Sequence, residues 1–163
     1  MNQDILFATG ECVLGVVLAA TSERGVCAIL LGNDPGDLER ELRERFPQAA
    51  RGSGLEPLVA KVAAFVAKPA TGLDVSLDLR GGEFQLRVWR ALQEIPAGST
   101  ETYSEVAARV GAPGSAKEVG EACAANVLAV AIPCHRVLRK DGGLAGYRWG
   151  VGRKRALLHL ERS

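Results

Sequence analysis

Short apolar runs near the N-terminus, at residues 5–7, 13–18 and 26–31, form the first pattern along this chain. Turn-forming residues separate these runs at 9–11 and at 22–25. Apolar runs of this length between turn residues are typical of β-strands that follow one another in antiparallel order. The pattern therefore predicts a meander of three strands.

The apolar spacing then lengthens from two residues to four. Leu38, Leu42 and Phe46 lie at every fourth position, behind an Asn-Asp-Pro sequence that favours a helix N-terminus. A second apolar stripe predicts another helix over about residues 55–67. Residues 73–79 return to strict alternation, which predicts a half-buried strand.

Helical patterns dominate the second half of the chain. The apolar positions of residues 84–92 predict an amphipathic helix. Residues 102–105 and 115–118 both have the form of a capping box, which satisfies the first amides of a helix. Because a glycine-containing turn at 111–114 separates the two boxes, they predict a helix-turn-helix. Its second helix, 116–125, is rich in small residues and suits close approach to a DNA groove.

Together these elements predict an α+β fold with two domains. We expect residues 1–79 to form a small antiparallel sheet with helices packed on it. We expect residues 80–163 to form a mostly helical, winged-helix-like domain that contains the helix-turn-helix. A chain of 163 residues can bury enough apolar surface to fold without disulfides or a structural metal.

The four cysteines are widely spaced and form no Cys-x-x-Cys pair, so a zinc site is not expected. Free thiols with this spacing are typical of a reducing compartment. The first residues lack the basic and apolar regions of a secretion signal, and no apolar run has the length of a membrane span. These observations favour a cytoplasmic protein.

The formal net charge is +1, but its distribution along the chain is uneven. Residues 133–163 carry eight bases and two acids, a net charge of +6, which leaves about −5 on the remainder. A cationic segment favours a polyanionic partner, although a solvated helix face gives the same pattern. The eight bases are Arg136, Arg139, Lys140, Arg148, Arg153, Lys154, Arg155 and Arg162.

Candidate chemistry lies in residues 132–137, which read Ile-Pro-Cys-His-Arg-Val. The apolar run 127–132 predicts a buried strand that ends at Cys134. The imidazole of His135 can remove the thiol proton directly or through one water, and the thiolate is a strong nucleophile. Asn126 stands before the run, where Asn suits a helix end. In apolar surroundings a cysteine is otherwise an inert small hydrophobe.

Residues 84–161 resemble the catalytic domain of the O6-alkylguanine-DNA alkyltransferases. The Pro-Cys-His-Arg-Val sequence is highly specific to that family. The first half of the chain is similar too, including residues 28–32, so the resemblance covers nearly the whole chain. The other matching segments are Val88-Trp89, Ile95-Pro96, Thr102-Tyr103, residues 122–126 and residues 146–151.

The resemblance implies a DNA repair protein that acts only once. Such a protein binds the minor groove of double-stranded DNA, flips an O6-alkylguanine into a pocket and moves the alkyl group onto cysteine. Base flipping suits this chemistry because the alkylated oxygen is out of reach inside the stacked duplex. No cofactor or metal is implied, and the chain is expected to act as a monomer.

The resemblance also assigns catalytic roles to five residues. Cys134 accepts the alkyl group, and His135 removes its proton through a water. Glu161 polarises His135, in a relay with the logic of a catalytic triad. Asn126 braces the turn before the thiol. Tyr103 helps to expel the base and donates a hydrogen bond to the purine ring.

A base pocket and a DNA-binding surface are implied in the same way. The pocket consists of Pro133, the backbone of Val137 and Arg148, and the ring of Tyr147 as a wall. The implied DNA contacts lie on or near the second helix of the helix-turn-helix, and they are Ser115, Ala116, Lys117, Gly120, Ala124 and Arg136.

One position on that helix departs from the family pattern. Lys117 stands where the family usually carries an arginine that fills the gap left by the flipped base. Lysine retains the charge but lacks the planar guanidinium that can occupy the place of a base. Glu118 and Glu121 add acids to the same helix. We therefore expect weaker duplex binding or slower flipping than in a typical family member.

Three other functions share parts of the pattern. A lesion sensor that binds alkylated DNA without alkyl transfer would have the same helix-turn-helix, but Cys134 argues against it. A transcriptional regulator would need a sensor domain, which the pattern does not show. A Cys-His-Glu hydrolase would turn over esters or peptides.

Overall fold

The computed structural model describes residues 5–144 and 146–162, apart from the side chain of Ala70. Its internal contacts divide the chain into two units, Met1–Leu79 and Arg80–Ser163. Among the described residues, no helix has both the length and the apolar character needed to cross a membrane.

The first unit is a four-stranded sheet with two helices. The strand order is β3-β2-β1-β4, and the pairs β1–β2 and β2–β3 are antiparallel, which confirms the predicted meander. The short β4 was not predicted, and it pairs with β1 in parallel. In chain order the elements are β1 (Leu6–Cys12), β2 (Gly15–Ser22), β3 (Gly25–Gly32), α1 (Pro35–Arg45), β4 (Ala50–Arg51), α2 (Glu56–Ala67) and a 3-10 turn (Pro69–Thr71).

The first predicted turn, at residues 9–11, is wrong. These residues lie inside β1, and the chain reverses at Val13-Leu14, so that Cys12 pairs with Gly15. Gly10 is needed for a different reason, because a Cβ there would lie 2.6 Å from Cγ1 of Val59 on α2. A strand glycine that admits a close neighbour has the same sequence signature as a turn glycine.

The predicted strand at residues 73–79 is also wrong in part. Residues 73–77 alternate between half-buried and exposed positions, as predicted, but Asp78 is buried and accepts a hydrogen bond of 2.6 Å from Ser22 Oγ. However, the segment meets the sheet at a single bridge between Val26 and Leu77. Two backbone hydrogen bonds flank this bridge, from Val26 N to Ser76 O at 2.9 Å and from Asp78 N to Val26 O at 2.8 Å. One bridge anchors the segment without making it a strand.

The second unit is mostly helical, as predicted. In its described residues the strands β5 and β6 form a pair, in which Glu101 and Thr102 lie parallel to Val137 and Leu138. This pair brings the start of α4 beside the residues that follow Cys134. In chain order the elements are α3 (Glu83–Gln93), β5 (Glu101–Thr102), α4 (Tyr103–Arg109), α5 (Ala116–Ala124), a 3-10 turn (Cys134–Arg136), β6 (Val137–Leu138) and α6 (Val151–Glu161).

The two predicted capping boxes have different outcomes. At α4 the box is confirmed, because Glu105 N donates to Thr102 Oγ1 at 3.1 Å and Thr102 N donates to the Glu105 carboxylate at 2.8 Å. At α5 the prediction is wrong, because the Ser115 side chain makes no capping hydrogen bond. An N-cap residue normally has an extended backbone. The backbone of Ser115 is not extended, with φ −100° and ψ 34°. The acid at Glu118 therefore has no capping role.

The C-terminal end of α5 is held by side chains from other parts of this unit. The last four carbonyls of a helix have no partner inside the helix. The carbonyl of Ala122 accepts a buried hydrogen bond of 2.9 Å from Trp89 Nε1, and that of Ala124 accepts one of 3.4 Å from Arg148. Backbone amides of residues 125 and 126 bind the carbonyls of residues 121 and 123. The helix end beside the thiol is therefore fixed.

The predicted strand at 127–132 is not formed, because Leu128 is the segment's one bridge residue and turns follow it. The run is largely buried, as predicted, but Ile132 N donates to Leu128 O at 3.0 Å within the run. Val130 has a positive φ of 62°, which a β-branched residue rarely adopts. The chain therefore doubles back before the thiol instead of running straight to it.

Candidate active site

Cys134 begins the 3-10 turn that follows these turns, and its side chain faces a cavity. The residue is only 5% exposed, so a substrate must enter the cavity to reach the sulfur atom. The cavity has a volume of about 480 Å³. Helices α4 and α5, the 3-10 turn and the loop before α6 supply its walls, through Tyr103, Gly120, Cys123, Ala124, Cys134, Gly146, Tyr147 and Arg148.

Asn126 ties the turns before Cys134 together. Its buried side-chain amide donates to Ile132 O at 3.0 Å and to the sulfur of Cys134 at 3.4 Å. Its side-chain oxygen accepts from Leu128 N at 2.8 Å. The side chain therefore satisfies backbone groups that a strand would have paired with a neighbouring strand. Because the Asn126 side chain binds these backbone groups, the apolar run does not need a neighbouring strand to satisfy them.

His135 and Glu161 are in direct contact. The imidazole Nε2 lies 2.6 Å from Glu161 Oε2, and both side chains are almost fully buried. Arg136 donates to the same carboxylate through Nε, at 3.0 and 3.1 Å, and through Nη2, at 2.7 Å. The Nη1 group of Arg136 donates to Ile95 O at 2.5 Å. One carboxylate therefore joins the 3-10 turn to the end of α6.

The protonation of this cluster follows from its burial and its hydrogen bonds. Burial opposes a charge on Glu161, but the hydrogen bonds from His135 and Arg136 outweigh it and lower the pKa of the carboxyl to about 2. Burial also lowers the pKa of His135, against the opposing influence of Glu161. At neutral pH the imidazole is therefore neutral. Because an ionised carboxylate only accepts, the imidazole proton is on Nε2.

The other imidazole nitrogen, Nδ1, is then an unprotonated base. Among the described residues it has no hydrogen-bond partner, although it is buried. Within the described residues, Nδ1 therefore makes no hydrogen bond to the sulfur of Cys134. The sequence left open whether the histidine acts directly or through a water, and this geometry favours transfer through a bridging group.

Burial raises the pKa of the Cys134 thiol. The hydrogen bond from Asn126 and the positive charges of Lys154 and Arg148 oppose this rise. A thiolate is thus disfavoured by the apolar surroundings and favoured by specific contacts. Such a sulfur becomes nucleophilic when a base takes its proton.

Sequence reasoning missed two residues of this site, Lys154 and Cys123. Lys154 is fully buried, and its ammonium donates to Val137 O at 2.7 Å. Burial lowers its pKa. A signal was present, since Lys154 lies three and seven residues before Leu157 and Glu161, on the same face of α6. Cys123 has no such signal, because its position on the cavity wall depends on how α5 packs.

The implied base-pocket residues fall into two groups. Tyr147 and Arg148 line the cavity, as does Tyr103. Pro133 and Val137 are buried and are not among the lining residues, and the carbonyl of Val137 already accepts from a lysine. Burial, with smaller effects from nearby thiols, raises the pKa of Tyr103 to about 12, so its hydroxyl remains a donor at neutral pH.

Five of the six implied DNA contacts lie on α5 or at its start, and all five are accessible to solvent. Lys117 and Ala124 are exposed, and Ser115, Ala116 and Gly120 are partly exposed. The exception is Arg136, for which the prediction is wrong, because it is 6% exposed and pairs with Glu161.

The cationic segment, residues 133–163, therefore presents fewer positive charges to solvent than its sequence contains. Arg136 and Lys154 are buried and bind atoms inside the protein. Their charges do not contribute directly to a phosphate-binding surface. The exposed bases of residues 133–163 are Arg139, Lys140, Arg148, Arg155 and Arg162.

The sequence of this chain is similar to one protein family and to curated proteins of that family. The family described as 6-O-methylguanine DNA methyltransferase, DNA binding domain, matches residues 83–163. The chain is 47% identical over 163 residues to the bifunctional transcriptional activator/DNA repair enzyme Ada of Escherichia coli, covering 98% of this chain and 46% of Ada. It is 35% identical over 147 residues to the inducible methylated-DNA–protein-cysteine methyltransferase of Bacillus subtilis, covering 88% of this chain and 82% of that protein.

A solved structure gives the same result. The crystal structure of Mycobacterium tuberculosis OGT in complex with DNA is similar over 96% of this chain and 92% of that chain, with a TM-score of 0.83 and 36% identity. This confirms the predicted α+β fold. The chain spans about half the length of the Ada relatives that it matches. It belongs to the family of methylated-DNA–protein-cysteine methyltransferases.

The buried carboxylate predicts a specific dependence of stability on pH. The folded pKa of Glu161, about 2, lies below its ordinary value of 4.5. Its stabilising contribution is therefore complete above pH 4.5 and is lost as the pH falls towards 2. Glu161→Gln leaves Arg136 without its counter-charge, so we expect the free energy of unfolding at pH 7 to fall by about 3 kcal/mol.

Urea unfolding of both proteins between pH 7 and pH 2 checks this expectation. The variant should lose less stability than the wild type between pH 4.5 and 2. Glu44→Gln, which alters an exposed acid on α1, serves as the control and should follow the wild-type curve. Parallel curves for Glu161→Gln and the wild type would contradict the assignment.

Proposed function

We propose that this chain repairs double-stranded DNA by moving the alkyl group of O6-alkylguanine onto the sulfur of Cys134. The observation that carries the proposal is a thiol on the wall of a cavity, beside a histidine whose free nitrogen is a base. The family membership and the names of the relatives support the same activity.

The reaction needs one substitution and two proton transfers, one from the thiol and one to the guanine. The Cys134 proton passes to Nδ1 of His135 through a bridging water. The thiolate then attacks the alkyl carbon, the bond from carbon to O6 breaks, and its electron pair stays on the guanine. The hydroxyl of Tyr103 donates a hydrogen bond to the purine as this negative charge develops. The guanine anion then takes up the proton that His135 holds, so the products are unmodified guanine, a neutral imidazole and an S-alkyl cysteine.

The protein is consumed by this reaction. A thioether has no leaving group that water can readily displace, so the acceptor is not regenerated. The step uses only the thiol, its base and the alkylated guanine, and it requires no cofactor. One protein molecule therefore repairs one lesion.

The cavity implies that the damaged base leaves the helix. The sulfur of Cys134 is nearly buried, whereas the O6 atom of guanine lies inside the stacked duplex. A base that is extruded into the cavity brings the two atoms together. The volume of about 480 Å³ lies within the range of small-molecule sites.

Helix α5 is the surface that best suits the DNA. Its small residues Ala116, Gly120 and Ala124 are exposed or partly exposed, and Gly120 and Ala124 line the cavity. Small side chains let a helix backbone come close to the minor groove, where contacts are largely independent of sequence. Exposed bases such as Arg139 and Lys140 can pair with the phosphates.

Intact-protein mass spectrometry tests alkyl transfer directly. After incubation with a duplex that contains O6-methylguanine, we expect the protein mass to rise by one methyl group in place of hydrogen. Peptide mapping should place the methyl group on Cys134. Cys134→Ala should bind the same duplex without a change of mass. Tight binding by the wild-type protein with no modification would instead indicate a lesion sensor.

Lys117 provides a second prediction. It is exposed at the start of α5, next to two exposed acids, Glu118 and Glu121. A planar guanidinium at this position can occupy the space of the extruded base, which an ammonium cannot. We expect Lys117→Arg to tighten binding to the alkylated duplex by about 1 kcal/mol, the scale of one stacking contact with a base.

Binding should be measured in the Cys134→Ala background, and the single-turnover rate in the protein with Cys134 intact. Lys68→Arg is the matched control, because it makes the same change at an exposed lysine of the first unit. If Lys117→Arg and Lys68→Arg give the same affinity and rate, Lys117 does not limit binding or flipping.

A further inference from the structure

The cavity contains a second thiol that alkyl transfer does not use. Cys123 lies in the last turn of α5, is 8% exposed and lines the same cavity as Cys134. The other two cysteines, Cys12 and Cys27, belong to the first unit. Within its own unit, each cavity thiol therefore has the other as its cysteine partner.

The surroundings of the two thiols differ in the groups that stabilise or destabilise a thiolate. Burial, and then the charge of Cys134, raise the pKa of Cys123 well above its ordinary value. Cys134 is also buried, but it accepts a hydrogen bond from Asn126 and lies near the charge of Arg148. Because the Asn126 amide stabilises a thiolate on Cys134, we expect this sulfur to react with the peroxide first.

We propose that Cys123 is a resolving thiol, which forms a reversible disulfide with Cys134 after a hydroperoxide has oxidised Cys134. This goes beyond alkyl transfer, because it involves neither DNA nor an alkyl group. The disulfide protects the acceptor sulfur from irreversible oxidation, and a cellular thiol reductant restores it.

The chemistry proceeds in two balanced steps. First, the Cys134 thiolate attacks one oxygen of hydrogen peroxide, the O–O bond breaks, and the departing hydroxide takes a proton to become water. This leaves a sulfenic acid on Cys134. Second, the sulfur of Cys123 attacks the sulfur of Cys134, the S–O bond breaks, and the departing hydroxide takes the Cys123 proton. Overall, two thiols lose two electrons and two protons, and the peroxide becomes two waters.

The charge change in the first step favours the second step. A thiolate on Cys134 disfavours ionisation of Cys123. A sulfenic acid is neutral, so oxidation removes this repulsion, while the ammonium of Lys154 continues to favour a thiolate on Cys123. The second sulfur thus becomes more reactive after the first has been oxidised.

Without a resolving thiol, a sulfenic acid has a different fate. Further peroxide converts it to sulfinic and then sulfonic acid, which thiol reductants do not reverse. An acceptor cysteine in that state has lost its nucleophile permanently. The proposal therefore predicts that the fate of oxidised Cys134 depends on whether Cys123 is present.

The test uses the whole protein, reduced and free of DNA, exposed to a small excess of hydrogen peroxide. Remaining thiols are then blocked with iodoacetamide. Because no Lys or Arg lies between Lys117 and Arg136, trypsin releases both thiols in one peptide, residues 118–136. We expect this peptide to lose two hydrogens, and dithiothreitol to restore two thiols.

Variants separate the two sulfurs. Cys123→Ala and Cys123→Ser should instead accumulate sulfinic and sulfonic acid on Cys134, and dithiothreitol should not reverse this. Cys134→Ala should leave Cys123 reduced. Cys12→Ala removes a half-buried thiol of the first unit and should behave as the wild type. Thermal melts verify that each variant is folded.

Two results would overturn the proposal. One is wild-type peptide 118–136 that accumulates sulfinic acid as fast as Cys123→Ala and never loses two hydrogens. The other is a disulfide that joins Cys134 to Cys12, to Cys27 or to a second protein molecule. Neither result depends on alkyl transfer, so failure of the repair activity and failure of this proposal are distinguishable.

Discussion

A buried carboxylate shared between an imidazole and a guanidinium is the interaction on which this site depends. Glu161 binds both His135 and Arg136, and all three side chains are removed from solvent. Because Arg136 already balances the charge of Glu161, a second positive charge on the imidazole is unfavourable in this buried place. His135 is therefore held neutral, with its proton on the nitrogen that faces Glu161. Its other nitrogen then carries no proton and can accept one.

The same interaction has a structural role. It joins the end of α6 to the 3-10 turn that begins at Cys134, while Asn126 fixes the turns before it. The thiol is thus held from both sides of the chain by side-chain hydrogen bonds instead of by a regular sheet. Trp89 and Arg148 bind the end of α5, which carries Cys123.

Much of the fold could be predicted because periodicity reports burial directly. The errors arose where one residue type serves two purposes. Gly10 was interpreted as a turn, but it admits a neighbouring helix. Residues 127–132 were interpreted as a strand because the sequence does not show that Asn126 replaces the ladder. The resemblance implied a DNA contact at Arg136, and the sequence does not show that this charged side chain is buried. Lys154 was overlooked for the same reason.

The protonation state of His135 tests most directly whether its Nδ1 atom can accept the proton of Cys134. NMR of protein with nitrogen-labelled histidine distinguishes the two neutral tautomers from the imidazolium, and His135→Gln assigns the signals against those of His159. At pH 7 we expect a neutral ring with its proton on Nε2. A proton on Nδ1, or on both nitrogens, would contradict this assignment, because Nδ1 could then not accept the proton of Cys134.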